Sequence, residues 1–111
     1  MFDNPEGWKH VEMFHRPGGS GLGPDKGILT GKAKNVKKLL AETVDRARPV
    51  KNGPDKDGNP RDGWVYEYDF GRQIGTLSPN EGGYPASGIR VILNEDGTLR
   101  TAHPINKLLN P

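Results

Sequence analysis

The chain has 111 residues, a formal net charge of +2 and no cysteine, which leaves room for one domain with one modest core. The missing cysteines exclude a disulfide scaffold, a thiolate zinc site and a cysteine nucleophile. Hydrophobic residues make up 32% of the chain while Gly and Pro number 16 and 10, so a folded part and a loop-rich part are expected side by side.

The first 32 residues read as a loop-rich N-terminal part. Within it, Trp8 to His15 is read as a short helix or strand, ended by Pro17-Gly18-Gly19. The glycine-rich run from Gly18 to Gly31 lacks the Gly-Lys-Ser/Thr ending of a phosphate-binding loop, so it is read as a flexible loop. No apolar run approaches the roughly 20 residues that a membrane span needs. Met1 to Pro5 shows neither the basic start nor the apolar stretch of a signal peptide. Export, on this reading, would have to come from a larger protein.

The spacing of Val36, Leu39, Leu40, Thr43, Val44 and Ala47 predicts a helix over about 33–47, closed at Arg48 because the residue before Pro49 disfavours helical geometry. Lys34, Lys37, Lys38 and Asp45 take its other side. Residues 26–51 hold Lys26, Lys32, Lys34, Lys37, Lys38, Arg46, Arg48 and Lys51 against Glu42 and Asp45. Such a stretch is either a solvated helix face or a surface for a polyanion, with Lys34 as the candidate contact. Residues 49–63 are dense in turn formers and read as a loop between helix and sheet.

From Trp64 the period changes to two. Trp64, Tyr66, Tyr68 and Phe70 alternate with Val65, Glu67 and Asp69, which predicts a strand. The aromatic row is read as core, with stacking on a nucleic-acid base as the alternative use of Tyr66. Gly71 marks a bend, and Arg72 to Leu77 reads as a continuing or second strand. Ile89 to Leu93 and Thr98 to His103 flank Asp96-Gly97, a strong hairpin signal, and Pro104 is expected to end the last strand. The fold class is therefore α+β: an N-terminal helical part packed on a twisted antiparallel sheet of three to four strands. Residues 1–111 are expected to form a single domain, with 1–32 loop-rich, 33–48 helical and 64–104 the sheet.

A two-residue turn at Asp96-Gly97 would set Arg90 opposite His103 and Ile92 opposite Thr101. A four-residue turn would set Arg90 opposite Thr101. Both keep Arg90, Thr101 and His103 on one sheet face, whereas a three-residue bulged loop would break the arrangement. A cation, a hydroxyl and an imidazole would then lie within about 5–8 Å of one another. Metal-free RNA cleavage needs such groups. Histidine transfers protons near neutrality, arginine grips a phosphate, and a hydroxyl can bond a base edge. The other two histidines, His10 and His15, are five residues apart, which would set them on different sides of a regular helix or strand. The bland reading of each histidine is a surface or capped residue. Asp25, Asp55, Asp57 and Asp62 lack the closing glutamate of a calcium loop and read as turn residues. No metal site and no cofactor is expected, and a metal-dependent DNase is disfavoured for want of ligands at suitable spacing.

The segments Tyr66 to Gly75, Gly88 to Leu93 and Asp96 to Pro104, roughly 40 residues, resemble the endings of bacterial polymorphic toxin domains. They are similar to the ribonuclease group that includes barnase, EndoU, colicin and RelE nucleases, whose members include the C-terminal warheads of contact-dependent inhibition proteins. The resemblance implies an active site in the concave face of the sheet. Thr101-Ala102-His103 matches the Thr/Ser-x-Tyr ending of EndoU-like members, with histidine in place of tyrosine. It implies Thr101 in substrate recognition, His103 in acid or base work, Arg72 and Arg90 on the phosphate, and His10 or His15 as a second proton-transfer group. It also implies RNA as substrate, with tRNA expected, a cognate immunity protein and a possible host activating factor. Such a domain is exported within a larger effector and acts in the cytoplasm of the target cell. The competing reading is a non-catalytic module that binds nucleic acid or protein through the basic helix, using Lys34, Lys37 and Lys38.

Overall fold

The computed structural model describes residues 1–108. Its class is α+β, with two helices and two antiparallel sheets. Helix α1 spans Pro5–Phe14 and α2 spans Ala33–Arg46. Strands β2 (Val50–Lys51), β3 (Trp64–Asp69), β6 (Gly88–Leu93) and β7 (Leu99–Ile105) form a four-stranded sheet in the order β2-β3-β6-β7. Strands β1 (Ile28–Leu29), β4 (Gly75–Thr76) and β5 (Pro85–Ala86) make a smaller sheet in the order β1-β4-β5. No helix among the described residues is long and apolar enough to cross a membrane.

Helix α2 follows its apolar period. It buries Val36, Leu40 and Thr43 against β3 and β6, with Leu39 and Val44 at the margin. Thr43 resolves its burial by donating its hydroxyl to the Leu39 carbonyl one turn back, at 2.8 Å. On the sheet, Ile89, Val91 and Leu93 of β6 face this helix. Tyr66 and Tyr68 stand opposite Val91 and Ile89 in register, so the aromatic row lies on the core side. Glu67, Arg90 and Ile92 alternate to the other face.

The sequence reading placed only loop and one ambiguous stretch before residue 33. The structure resolves that stretch as α1. Pro5 occupies the first turn, where its missing N–H costs nothing, and the Asn4 side chain accepts from the Glu6 N–H at 3.0 Å. Helix α1 lies along β7, the edge strand. Gly7 permits that contact, because a Cβ there would overlap the Leu99 carbonyl oxygen. The Leu99 N–H is satisfied by the Met1 carbonyl at 2.8 Å, so the N-terminal segment blunts an otherwise open sheet edge.

Several boundaries differ from expectation, beginning with the run from Gly18 to Gly31, read as a flexible loop, which contains β1 paired with β4. The loop 49–63 contains β2, which pairs with the start of β3. Within Arg72 to Leu77 only Gly75–Thr76 forms a strand, and it joins the smaller sheet. Pro104 does not end β7, which runs to Ile105. β7 is an edge strand, where a residue without an N–H is tolerated.

Candidate functional site

The hairpin between β6 and β7 decides what the site contains. The Asn94 N–H bonds the Thr98 carbonyl at 2.8 Å and the Gly97 N–H bonds the Asn94 carbonyl at 2.9 Å. The loop is therefore three residues, Glu95-Asp96-Gly97, with Gly97 at φ +85°. That loop alone would shift every pair beyond it by one. A second irregularity lies between Ile92 and Leu93 on the β6 side: Leu93 pairs Leu99, while Ile92 pairs Thr101. Arg100 is the extra residue, and its guanidinium is anchored on Asn94 Oδ1 at 2.7 Å and the Asp62 carbonyl at 3.0 Å. The two offsets cancel. Arg90 ends up opposite His103 and Ile92 opposite Thr101, the pairing that a two-residue turn would have produced.

Arg90 is held from both sides. Its Nε donates to Glu67 Oε2 at 2.6 Å, and Nη1 lies 3.3 Å from His103 Nε2. The Glu67 side chain is 5% exposed, so this ion pair is shielded from water. A guanidinium only donates, which makes His103 Nε2 the acceptor and puts the ring proton on Nδ1. Burial, with the Arg90 charge beside it, pushes the His103 pKa down to about 3.

Helix α1 brings the other two imidazoles to the same place. His10 sits on its last turns, with its ring 4.7 Å from that of Phe14. His15 is the C-cap residue, with φ −138° and ψ 21°. It has left the helix, so the five-residue spacing does not separate it from His10 as a regular element would. Ring centroids are 5.9 Å apart for His10 and His15, and 5.7 Å for His15 and His103. His15 Nδ1 donates to the Gly27 carbonyl at 2.9 Å, which leaves Nε2 with a free lone pair in the neutral ring. Burial lowers the pKa of both His15 and His10, and the Lys26 charge lowers them further.

These groups line a hollow of 340 Å³ that includes His10, His15, Lys26, Thr101 and His103, with Asp25 and Glu81 also in its wall. Lys26 is paired with Asp25 at 3.2 Å and rides over the Phe14 ring. The Thr101 hydroxyl is buried and has no hydrogen-bond partner. Among the described residues, no group of three or more His, Asp or Glu side chains is arranged to hold a metal ion.

No family model, curated protein or solved structure matches this chain.

Of the candidates read from sequence, His10, His15, Thr101 and His103 meet at the hollow, and Arg90 stands one step behind His103. The remaining three lie elsewhere. Arg72 is exposed and lines a separate basin between α2 and the segment before β4, with Lys38 and Glu42. Lys34 is exposed on α2. Tyr66 packs on the opposite side of the sheet from Arg90, against the core. Strand alternation and helix packing separate them from the hollow. Lys37, counted with the basic face, folds over the Trp8 and Phe2 rings at 4.9 and 5.4 Å. Sequence reasoning missed Lys26 and Glu81 as site residues. Lys26 sits on a loop and Glu81 in a single 3-10 turn, Pro79–Glu81, neither with a periodic signal, and only their packing around the hollow brings them in.

Proposed function

We propose that the hollow is the active site of a metal-independent endoribonuclease, a toxin domain acting on RNA, with tRNA the expected target and an immunity protein its antidote. The observation that carries this reading is the convergence of three imidazoles from the two ends of the chain around one cation-bearing hollow. In the proposed reaction His15 Nε2 removes the proton of a ribose 2′-hydroxyl. The 2′-oxygen bonds the adjacent phosphorus, the bond from phosphorus to the 5′-oxygen breaks, and protonated His10 delivers its proton to that departing oxygen. The products are a 2′,3′-cyclic phosphate and a free 5′-hydroxyl. Lys26 balances charge on the phosphorane, where pre-placed donors act most strongly.

His103 has a different part in this scheme from the acid or base work expected of it. A ring whose pKa is near 3 carries no transferable proton as an imidazolium at neutral pH. It holds Arg90 on one side and offers Nδ1–H on the other. The Thr101 hydroxyl, buried without a partner in the wall of the hollow, is an unmet hydrogen-bonding group there, at a cost of about 1–3 kcal/mol.

Incubating the purified protein with total RNA in EDTA tests the proposal. Discrete products ending in cyclic phosphate are expected, and His15→Ala is expected to slow their formation by roughly 10²-fold or more. RNA left intact at high enzyme concentration refutes it.

A further inference from the structure

The hollow is the middle of three basins in a row. On one side His10 also lines a 400 Å³ basin between α1 and the β6–β7 hairpin, together with Lys9, Phe14 and Arg100. On the other, Glu81, His103 and Pro104 also line a 290 Å³ basin that includes Arg90 and Lys107. The shared residues set each outer basin beside the hollow. Each has the scale of sites that take a ligand of nucleotide size, for which pockets run from about 300 Å³ upward. Each also carries basic side chains: Lys9 and Arg100, then Lys26, then Arg90 and Lys107.

A small mononucleotide substrate would need one such basin. A row of three in which basic side chains outnumber acidic ones suits a chain of phosphates. Across the three basins five basic side chains, Lys9, Arg100, Lys26, Arg90 and Lys107, stand against three acidic ones, Glu6, Asp25 and Glu81. Asp25 is neutralised by Lys26, and the Glu81 carboxylate, held by the Ser78 hydroxyl at 2.9 Å, is an acceptor of the kind that reads an exocyclic amine on a base. The His10 ring, tilted at 40° against that of Phe14, stands where two basins meet, and the two rings offer a surface for a base. Bases inside a duplex are stacked on one another and cannot enter separate basins.

We propose that the three basins are consecutive nucleotide subsites and that the substrate is an unpaired RNA segment of at least three nucleotides, cut in the middle basin. This inference rests on the RNA-cleavage reading above and adds the class of RNA and its binding path.

The test compares a dinucleotide, a single-stranded hexanucleotide and the same hexanucleotide annealed to its complement, with the unmodified protein and with Lys9→Glu and Lys107→Glu. Both lysines are exposed and lie outside the middle basin. The expected result is a kcat/KM about ten-fold or more higher for the single-stranded hexanucleotide than for the dinucleotide, with the duplex resistant. Each variant is expected to shrink that advantage several-fold, through KM. Equal efficiency on dinucleotide and hexanucleotide, or an equal loss on both in the variants, overturns the subsites and leaves the cleavage reading standing. Failure to cut any of the three RNAs overturns the cleavage reading, and the subsites with it.

Discussion

Arg90 Nη1 faces His103 Nε2 across 3.3 Å, and the guanidinium has no lone pair, so the imidazole must accept. The pair sits behind the hollow and is backed by Glu67. A neutral His103 is thus a structural requirement of the site.

The His103 pKa is depressed in the folded chain, to about 3, while in the unfolded chain it returns toward 6.5. Between those values the unfolded state binds the extra proton. The stabilising contribution is therefore complete above about pH 6.5 and drains away as pH falls toward 3. His10 and His15 shift in the same direction. Urea denaturation at pH 7.5, 6 and 4.5 is expected to show a loss of several kcal/mol across the series. His103→Gln is expected to flatten that slope, and an unchanged slope would separate it from His103.

Glu67 and Arg90 form a shielded pair, with side chains 5% and 21% exposed. Replacing Glu67 by Leu alone leaves a partly buried cation without its carboxylate, at a cost of about 3 kcal/mol. Replacing both, Glu67→Leu with Arg90→Met, is expected to recover much of that loss. Denaturation midpoints of the single and double variants measure the coupling.

Gly7→Ala tests the close approach of α1 to β7. Helix propensity alone would make the substitution favourable by about 1 kcal/mol. The new methyl group would overlap the Leu99 carbonyl oxygen, so the expected sign is the opposite. A destabilisation of about 2 kcal/mol or more is expected, read as a fall in Tm. Because α1 carries His10 and positions His15, cleavage is expected to fall with it. A more stable variant would contradict this packing.

Cleavage by His15 as base and His10 as acid predicts a bell-shaped kcat/KM profile. Both pKa values are lowered from 6.5. The base form of His15 is gained, and the acid form of His10 lost, on the acidic side of that value. The maximum is therefore expected below pH 6.5, provided the profile is taken where the chain stays folded. An optimum above pH 7.5 would count against this pair.

Local pattern sufficed for the elements whose partners are near in sequence or whose faces repeat. The burial of Val36, Leu40 and Thr43 follows from helical period, the alternation of Trp64 to Phe70 from strand period, and the β6–β7 hairpin from Asp-Gly between apolar runs. The pairing of Arg90 with His103 is one of two registers the sequence leaves open, and the structure reaches it by a route that neither turn describes. The three-residue loop displaces the register and the bulge at Arg100 restores it. Neither offset has a periodic signature.

Other parts were decided only by packing. His10 and His15 reach His103 because Gly7 lets α1 settle on an edge strand more than 80 residues away in the chain. Lys26 arrives on the loop before β1 and Glu81 on a short helical turn after β4, while strand alternation puts Tyr66 on the other sheet face and Arg72 lines a separate basin beside α2. The sequence by itself determined the α+β class and the buried faces of α2, β3 and the β6–β7 hairpin, since periodicity is a local property of the chain. Only the tertiary structure decided which distant groups share a hollow, because contact across long separations depends on shape complementarity and the entropy of closing long loops, which no run of neighbouring residues encodes.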